Sequence, residues 1–402
     1  MKPRSSSAIT ALRFWFREVF FWVIAMSNFA IPKKRQLLLH SLPDVEDQIV
    51  AVLRWLAANP HHRMPVVHLV AGSENSARQT LRRLVGPFID DVQIYRKTRP
   101  IGIWSYCRSR FVLFTHGIYG YAPRPRSQTT VNVWHGMPTK GIWKAISGSR
   151  VPPCDYLIST SPKFSEVLAS VSGFSISKIL PLGLPRNDTL FGDRAERLAF
   201  VREQRLHHER LVIFLPTFRQ TAANYNLSDG QESDNPIPFD SKEIVRLQEI
   251  LQRTRAKLLV KPHPMSVHYG KEFEFDENIE IISDTWLTRR GITLYEALSV
   301  ADVVITDTSS VYVDLLCIGK PCLFYFPDLD IYRARRKFLL EPIEEWLSGT
   351  LHRDGFTLCD ELEGFLDGRV KNSVSNMARM ASLNIQSAPH ATRAVMALIV
   401  GK

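Results

Sequence analysis

Two histidines each lie just beyond a short apolar run, where the chain would leave a β-strand. His135 follows residues 130–134, and His263 lies shortly after residues 257–260. An imidazole with a pKa of about 6.5 can accept a proton from a hydroxyl group or donate a hydrogen bond to a phosphate oxygen. We therefore predict that His135 is a general base and that His263 is a second catalytic residue that contacts phosphate. The alternative is that each histidine only shapes a strand exit.

Cationic and hydroxyl side chains accompany the two histidines. Prolines on both sides of His263 fix its turn. Residues 306–310 place hydroxyl groups before an apolar helical stretch, where free N–H groups and the helix dipole attract phosphate. Capping and turn roles are the alternative for Arg186 and the serines. The predicted phosphate-binding residues are Gly136, Arg186, Thr217, Arg219, Lys261, Thr308, Ser309, Ser310 and Asp314.

Short apolar runs alternate with helical stretches along most of the chain. This pattern is typical of βαβ units and of a parallel sheet. Helices are predicted at 45–58, 75–85 and 99–105. The predicted strands form two series, 36–40, 66–70, 92–95, 111–115 and 130–134, then 211–215, 257–260, 279–283, 303–306 and 322–325.

The two series indicate two doubly wound α/β domains, at residues 32–190 and 210–372, joined between 190 and 209. The substrate is expected in the cleft between the two sheets. Residues 224–240 are polar and rich in glycine and proline, which predicts a long loop over that cleft or a disordered insertion. Residues 373–402 are predicted to be helical and to pack back across the first domain.

The formal net charge of +11 is concentrated at the front, where residues 1–35 hold seven basic residues and one acidic residue, or 7 − 1 = +6. Aromatic residues lie between these charges. The uninterrupted apolar part, residues 19–26, is far shorter than the roughly 20 residues of a spanning helix. We predict that residues 1–31 form an amphipathic helix in the inner-leaflet interface, attracted to anionic lipid. The alternative is a helix packed on the protein's own core.

Composition and missing motifs exclude several classes of protein. The five cysteines are scattered, so neither a disulfide framework nor a zinc site is indicated, and a cytoplasmic location is expected. The chain has no GxxxxGK[ST], dinucleotide-binding glycine or HExxH motif, so we expect no cofactor and no metal. Nucleic acid is not an expected partner, because the basic residues gather at the aromatic front end.

Five motifs in order resemble the CDP-glycerol glycerophosphotransferase family of teichoic acid and capsule biosynthesis. The similarity runs from about residue 34 to residue 358. The motifs are Trp134-His-Gly136, Leu182-Gly-Leu-Pro-Arg-Asn-Asp188, Leu215-Pro-Thr-Phe-Arg219, Lys261-Pro-His263-Pro and Thr306-Asp-Thr-Ser-Ser310.

The resemblance implies a GT-B type fold, with an acceptor domain and a CDP-donor domain facing across a cleft, on the cytoplasmic face of the membrane. It implies transfer of glycerol phosphate, or a similar polyol phosphate, from CDP-glycerol to a hydroxyl of a lipid-linked or polymeric acceptor, with release of CMP. By position, His135 matches the family's proposed base, and His263 with Ser309 and Ser310 matches its donor-phosphate contacts. Thr308 departs from the family pattern, in which an aromatic residue is frequent.

Two other functions remain open at this point. The first is a transferase of the same fold that uses CDP-ribitol or a nucleotide sugar. The second is a non-catalytic peripheral membrane module. The sequence does not identify the polyol or the acceptor, and it does not separate a primase from a polymerase.

Overall fold

The computed structural model describes residues 5–145, 151–217, 237–263, 275–370 and 377–401. The predicted phosphate-binding residue Arg219 and nearly all of the predicted loop 224–240 lie outside these ranges. The rest of the chain forms two parallel sheets with helices on their faces, which confirms the predicted α/β class.

The first sheet consists, within the described ranges, of seven parallel strands in the order β3-β2-β1-β4-β5-β6-β7. The central strands are almost fully buried, because helices cover both faces of such a sheet, and this explains their continuous apolar runs. The strands are β1 (Lys34–His40), β2 (Val66–Val70), β3 (Val92–Arg96), β4 (Ser109–Phe114), β5 (Thr129–Asn132), β6 (Tyr156–Ile158) and β7 (Ile179–Leu180).

The second sheet has the parallel order β10-β9-β8-β11-β12-β13 in the part of the chain that the structure describes. In both sheets the strand order therefore reverses beside the first strand. The chain moves outward on one side of β1 and then continues with β4 on its other side, and β8 and β11 have the same relation. Ligands bind in doubly wound sheets outside the carboxyl ends of the strands at such switch points. The strands are β8 (Arg210–Leu215), β9 (Ala256–Val260), β10 (Ile279–Ile281), β11 (Val303–Thr306), β12 (Cys322–Tyr325) and β13 (Leu351–His352).

Several helices, α2 and α5 among them, begin where a side chain accepts from the free backbone N–H groups of the first turn. Glu46, for example, accepts from Gln48 N at 2.8 Å, so α2 starts one residue later than Glu46. The helices are α1 (Ser5–Ala30), α2 (Asp47–Ala58), α3 (Glu74–Val85), α4 (Pro100–Arg108), α5 (Pro162–Ser172), α6 (Ala195–Gln204), α7 (Ser241–Arg253), α8 (Asp284–Arg289), α9 (Leu294–Val300), α10 (Val311–Leu315), α11 (Leu329–Arg336), α12 (Gly355–Leu366), α13 (Met377–Leu383) and α14 (Ala391–Val400).

The last two helices return to the first sheet. Asp188 accepts from the N–H groups of Ala391 at 3.0 Å and Thr392 at 2.7 Å, so its carboxylate caps α14. Thr160 donates to Leu383 O at 2.6 Å and so fixes the end of α13. The C-terminal helices thus bind to the first sheet although the second sheet precedes them in the chain.

The first helix has a buried side and a broad exposed side. Ile24, Ala25 and Asn28 are buried, and Asn28 donates to Gln128 at 2.9 Å. Lys33, one of the seven basic residues of 1–35, donates to carbonyl oxygens at the end of α1, including Ile31 O at 3.0 Å. None of the described helices has the length and apolar character needed to cross a membrane. Among the side chains of α1 that the structure describes, those of residues 15–30, the exposed large apolar ones are Trp15, Phe16, Val19, Phe20, Trp22, Val23, Met26 and Phe29.

Candidate functional site

His135 lies in a sharp turn after β5. Asn132 Oδ1 accepts from Trp134 N at 2.9 Å, and this bond turns the chain out of the strand. Trp134 has φ +52° and Gly136 has φ +130°. A non-glycine residue in the left-handed region costs about 1–3 kcal/mol, so packing must compensate this turn. Trp134 is buried against Trp143, with ring centroids 4.6 Å apart, while the His135 side chain is exposed to the cleft.

The second sheet closes over this turn at Gly136. A Cβ atom at position 136 would overlap Ser310 Oγ and would lie 2.7 Å from Arg186 Nη2. Both the positive φ and this close approach therefore require glycine. Gly136 brings the loop of His135 against the start of α10, so the two sheets meet at the predicted site.

Further contacts join the two sheets beside Gly136. Thr139 donates through its hydroxyl to Thr308 O at 2.5 Å, and its carbonyl accepts from Leu339 N at 2.7 Å. Gly141 N donates to Lys337 O at 2.9 Å. Hydrogen bonds between uncharged groups therefore hold the segment after His135 against the part of the chain that forms the second sheet.

Arg186 is the centre of a buried ionic network between the two sheets. It donates to Glu46 at 3.3 Å, to His135 O at 3.0 Å and to Asp314 at 2.6 Å. Its guanidinium also lies 4.8 Å from the ring centre of Tyr295, whose hydroxyl donates to Asp314. The network holds the backbone of His135 in place from both sides of the cleft.

This network shows where two of the predicted phosphate-binding residues lie. Arg186 is 5 % exposed and Asp314 is 0 % exposed, so both lie beneath the cleft surface. The fully buried Asp314 accepts from Arg186 and Tyr295 and so links the two sheets, and its contact with phosphate stays a prediction. Arg186 is likewise occupied by two carboxylates and a carbonyl group.

His263 leaves β9 on the opposite side of the cleft. Lys261 N donates to Phe214 O at 2.9 Å, which continues the sheet ladder up to the Pro262 turn. Lys261 Nζ lies 3.0 Å from Asp284 Oδ1. Burial lowers the pKa of His263 to about 4, with further lowering by the charges of Lys140 and Lys261. His263 is thus neutral at pH 7 in a positively charged environment.

The pKa of His135 is also lowered by its surroundings. Restricted hydration at the floor of the cleft lowers the pKa of His135 well below its usual value, although part of the ring is exposed to solvent. The positive charges of Arg186 and Lys140 lower it further, and His116 and His263 would act in the same direction when protonated.

The hydroxyl groups after β11 lie beside Gly136. Thr308 is buried, whereas Ser309 and Ser310 are half-buried. Ser310 is the N-cap residue of α10 and makes no side-chain capping bond, whereas Ser309 Oγ accepts from Val311 N at 3.5 Å. Thr217, after β8, donates to the buried carboxylate of Asp307 through N–H at 3.2 Å and through its hydroxyl. Thr217 thus connects the ends of β8 and β11 at the switch point.

Sequence reasoning missed three residues of this arrangement. Glu46 and Tyr295 complete the network of Arg186, and no motif marks them. His116 stacks on His135 with ring centroids 4.1 Å apart and an interplanar angle of 8°. His116 follows the apolar strand β4, the same signal that identified His135, so this histidine could have been found.

Residues 28–400 match the family model described as CDP-glycerol:poly(glycerophosphate) glycerophosphotransferase. A teichoic acid poly(glycerol phosphate) polymerase of Bacillus spizizenii is 26 % identical over 282 residues, or 65 % of this chain and 67 % of that protein. A teichoic acid ribitol-phosphate primase of the same organism is 26 % identical over 264 residues, or 60 % of this chain and 62 % of that protein. A teichoic acid glycerol-phosphate primase of Bacillus subtilis is 25 % identical over 210 residues, or 52 % and 49 %. The matched part thus spans about half to two thirds of these relatives.

The fold is similar to that of the wall teichoic acid polymerase TagF. A TagF variant soaked with CDPG has a TM-score of 0.71 at 17 % identity, covering 99 % of this chain and 98 % of that chain. A putative UDP-N-acetylglucosamine 2-epimerase from Listeria monocytogenes has a TM-score of 0.53 at 15 % identity, covering 91 % and 96 %. These likenesses concern the fold.

Proposed function

Because the chain belongs to the CDP-glycerol:poly(glycerophosphate) glycerophosphotransferase family, we propose that it transfers glycerol phosphate from CDP-glycerol to a hydroxyl of a teichoic-acid-like acceptor. The observation that supports this function most is the contact between the turn that carries His135 and Ser310 at the start of α10, where the two sheets meet at Gly136. The other product is CMP.

In the proposed reaction, the acceptor hydroxyl oxygen attacks the phosphorus that bears glycerol. The bond from that phosphorus to the bridging oxygen breaks, and the electron pair leaves with CMP. His135 accepts the proton of the hydroxyl. A neutral imidazole is needed for this step, and restricted hydration keeps His135 neutral at pH 7.

The negative charge of the donor would be balanced by groups of both sheets. Lys261, His263 and Lys140 lie around the cleft, and Ser310 presents a hydroxyl beside Gly136. Fixed donors of this kind stabilise charge that develops in a transition state without reorganisation of water. Arg219 belongs to the same proposed set.

The domain roles follow from this assignment. His135 follows a strand of the first sheet, so residues 32–190 would bind the acceptor. His263 follows a strand of the second sheet, so residues 210–372 would bind the CDP donor. This division is the one expected of a GT-B type fold. The hydrogen bonds between Thr139 and the second sheet support it, because they keep the two sheets facing each other.

The exposed side of α1 would lie in the interface of an anionic bilayer. Trp22 is 52 % exposed and Phe16 is 58 % exposed. The neighbouring α4 adds Ile101 and Trp104, both exposed. Aromatic side chains favour the headgroup region, and basic residues near α1 would add attraction to anionic lipid. This placement on the cytoplasmic face would bring a lipid-linked acceptor to the cleft.

A donor screen tests the proposed function. The purified protein is incubated with a lipid-linked acceptor and with CDP-glycerol, CDP-ribitol or a UDP-sugar, and nucleotide release is followed by chromatography. Acceptor-dependent CMP from CDP-glycerol is expected. CMP from CDP-ribitol alone would favour the second candidate, which the similarity to a ribitol-phosphate primase supports. Release of UDP alone, or of no nucleotide, would contradict the proposal.

A further inference from the structure

The stacked pair His116–His135 is a feature of the cleft that the proposed mechanism does not use. The two rings are nearly parallel, 4.1 Å apart at an angle of 8°. The Trp134 ring lies 4.1 Å from His135 at an angle of 40°. Two flat side chains therefore restrict the rotation of the His135 ring, while its edge remains exposed to the cleft.

His116 is itself fixed to the edge of the first sheet. Thr115 N donates to His40 O at 3.2 Å, which extends the pairing of β1 and β4 by one residue. The fully buried Thr115 then bonds His116 Nδ1 at 2.8 Å through its hydroxyl. A Cβ atom at Gly117, which has φ +90°, would lie 2.9 Å from Pro152, so the chain turns away directly after His116. The ring of His116, which stacks on His135, is thus held in place directly after β4.

We propose that His116 is a positioning residue for the proposed base His135. Its ring supplies a flat, uncharged surface that fixes the orientation of the His135 imidazole and shields one face of that imidazole from water. The inference rests on the proposed function, because it gives His116 a role in the step that His135 performs.

The chemistry explains why an uncharged surface is suitable. Burial lowers the pKa of His116 to about 4, so this ring is neutral at pH 7. The other groups that face His135 are Arg186, Lys140 and His263, and each carries or can acquire positive charge. A permanently charged residue at position 116 would add to this repulsion, whereas a neutral ring packs on the base in its active, unprotonated form.

The main expected effect of His116 is to fix the orientation of the His135 ring. A general base must bring its lone pair within hydrogen-bond reach of the proton that it removes. Misplacement of a catalytic group by about 1 Å can reduce a rate by about 100-fold. Without the stacking ring, His135 would rotate more freely and water would fill the space beside it.

Two variants separate ring stacking from the nitrogens of His116. His116→Phe keeps a flat ring without nitrogen, and His116→Ala removes the ring. His61→Ala is the control, because it removes an exposed imidazole far along the chain from the site. We expect kcat to fall about 10- to 100-fold in His116→Ala and less than about 3-fold in His116→Phe, with the KM for CDP-glycerol almost unchanged in both.

NMR titration of His135 in the ligand-free protein gives a readout independent of activity, with its signal assigned from a His135→Gln variant. The pKa of His135 should rise toward about 6.5 in His116→Ala, because water gains access to the ring, and should remain low in His116→Phe. A low pKa in both variants together with wild-type kcat would overturn the proposal. Equal loss of kcat in His116→Phe and His116→Ala would also overturn it, because the nitrogen would then be essential. An inactive wild-type protein with the expected titration would contradict the proposed function and leave the shielding by His116 supported.

Discussion

The buried ion pair Arg186–Asp314 should show a far larger coupling energy than a surface pair of equal length. The perturbation is a double-mutant cycle of Arg186→Met and Asp314→Leu. Asp314→Leu leaves the Arg186 charge without this partner, and Arg186→Met leaves the carboxylates of Asp314 and Glu46 without theirs. The double change removes both charges and replaces them with apolar groups of similar size.

The structure sets the expected magnitude. The two side chains are 7 % and 0 % exposed, and the charged atoms are 2.6 Å apart. Breaking a buried pair by removing one partner costs about 3–5 kcal/mol, whereas replacing both by apolar groups is often nearly neutral. Tyr295 also loses its acceptor when Asp314 is changed, at about 1–3 kcal/mol. The coupling energy should therefore reach at least about 2 kcal/mol.

Urea unfolding followed by tryptophan fluorescence measures the cycle. Arg82–Asp90 is the matched control, because its atoms are also 2.6 Å apart but its side chains are 59 % and 49 % exposed. Its coupling energy should be below about 1 kcal/mol. If the Arg186–Asp314 coupling were as small as that of the control, the buried network would not hold the two sheets together.

Three further outcomes follow from the same structure. Gly136→Ala should abolish CMP release in a protein that still folds, because a Cβ atom would push the His135 turn away from Ser310; wild-type turnover would show that the approach is not needed. The free energy of unfolding should fall as pH drops from about 6.5 to about 4, because burial lowers the pKa of His40 to about 4 and only the unfolded chain gains this proton in that range. His40→Gln should weaken the dependence of the urea midpoint on pH, and an unchanged dependence would contradict this. Trp22→Ser should reduce co-sedimentation with anionic liposomes, whereas Ile281→Ser, an exposed apolar control in the second sheet, should not; equal effects would refute the role of α1.

The sequence predicted the sheets best where strands are buried on both faces. Strands β2, β4 and β8 are nearly continuous apolar runs, because parallel strands covered by helices need no polar side. Strands β6, β7 and β13 were missed. They have only two or three residues each, which is too short for any periodicity.

The candidate site could be predicted only to the level of the residues after each strand. His135 and His263 each follow a strand of their own sheet, so their assignment to one cleft remains a prediction that rests on the two sheets facing each other. The burial of Arg186 and Asp314 could not be predicted from the sequence, because it depends on how the two sheets face each other. The left-handed φ of Trp134 could not be predicted either, because tertiary packing overrides the local preference of a bulky residue.

The central claim is that His135 removes the proton of the acceptor hydroxyl in the cleft shared with His263. The most direct measurement is the kcat of CMP release by His135→Ala, with CDP-glycerol affinity and urea stability determined on the same preparation. Loss of a general base should lower kcat by about 10² to 10⁴ with affinity and stability almost unchanged. Turnover close to that of the wild type would contradict the assignment of His135 as the base.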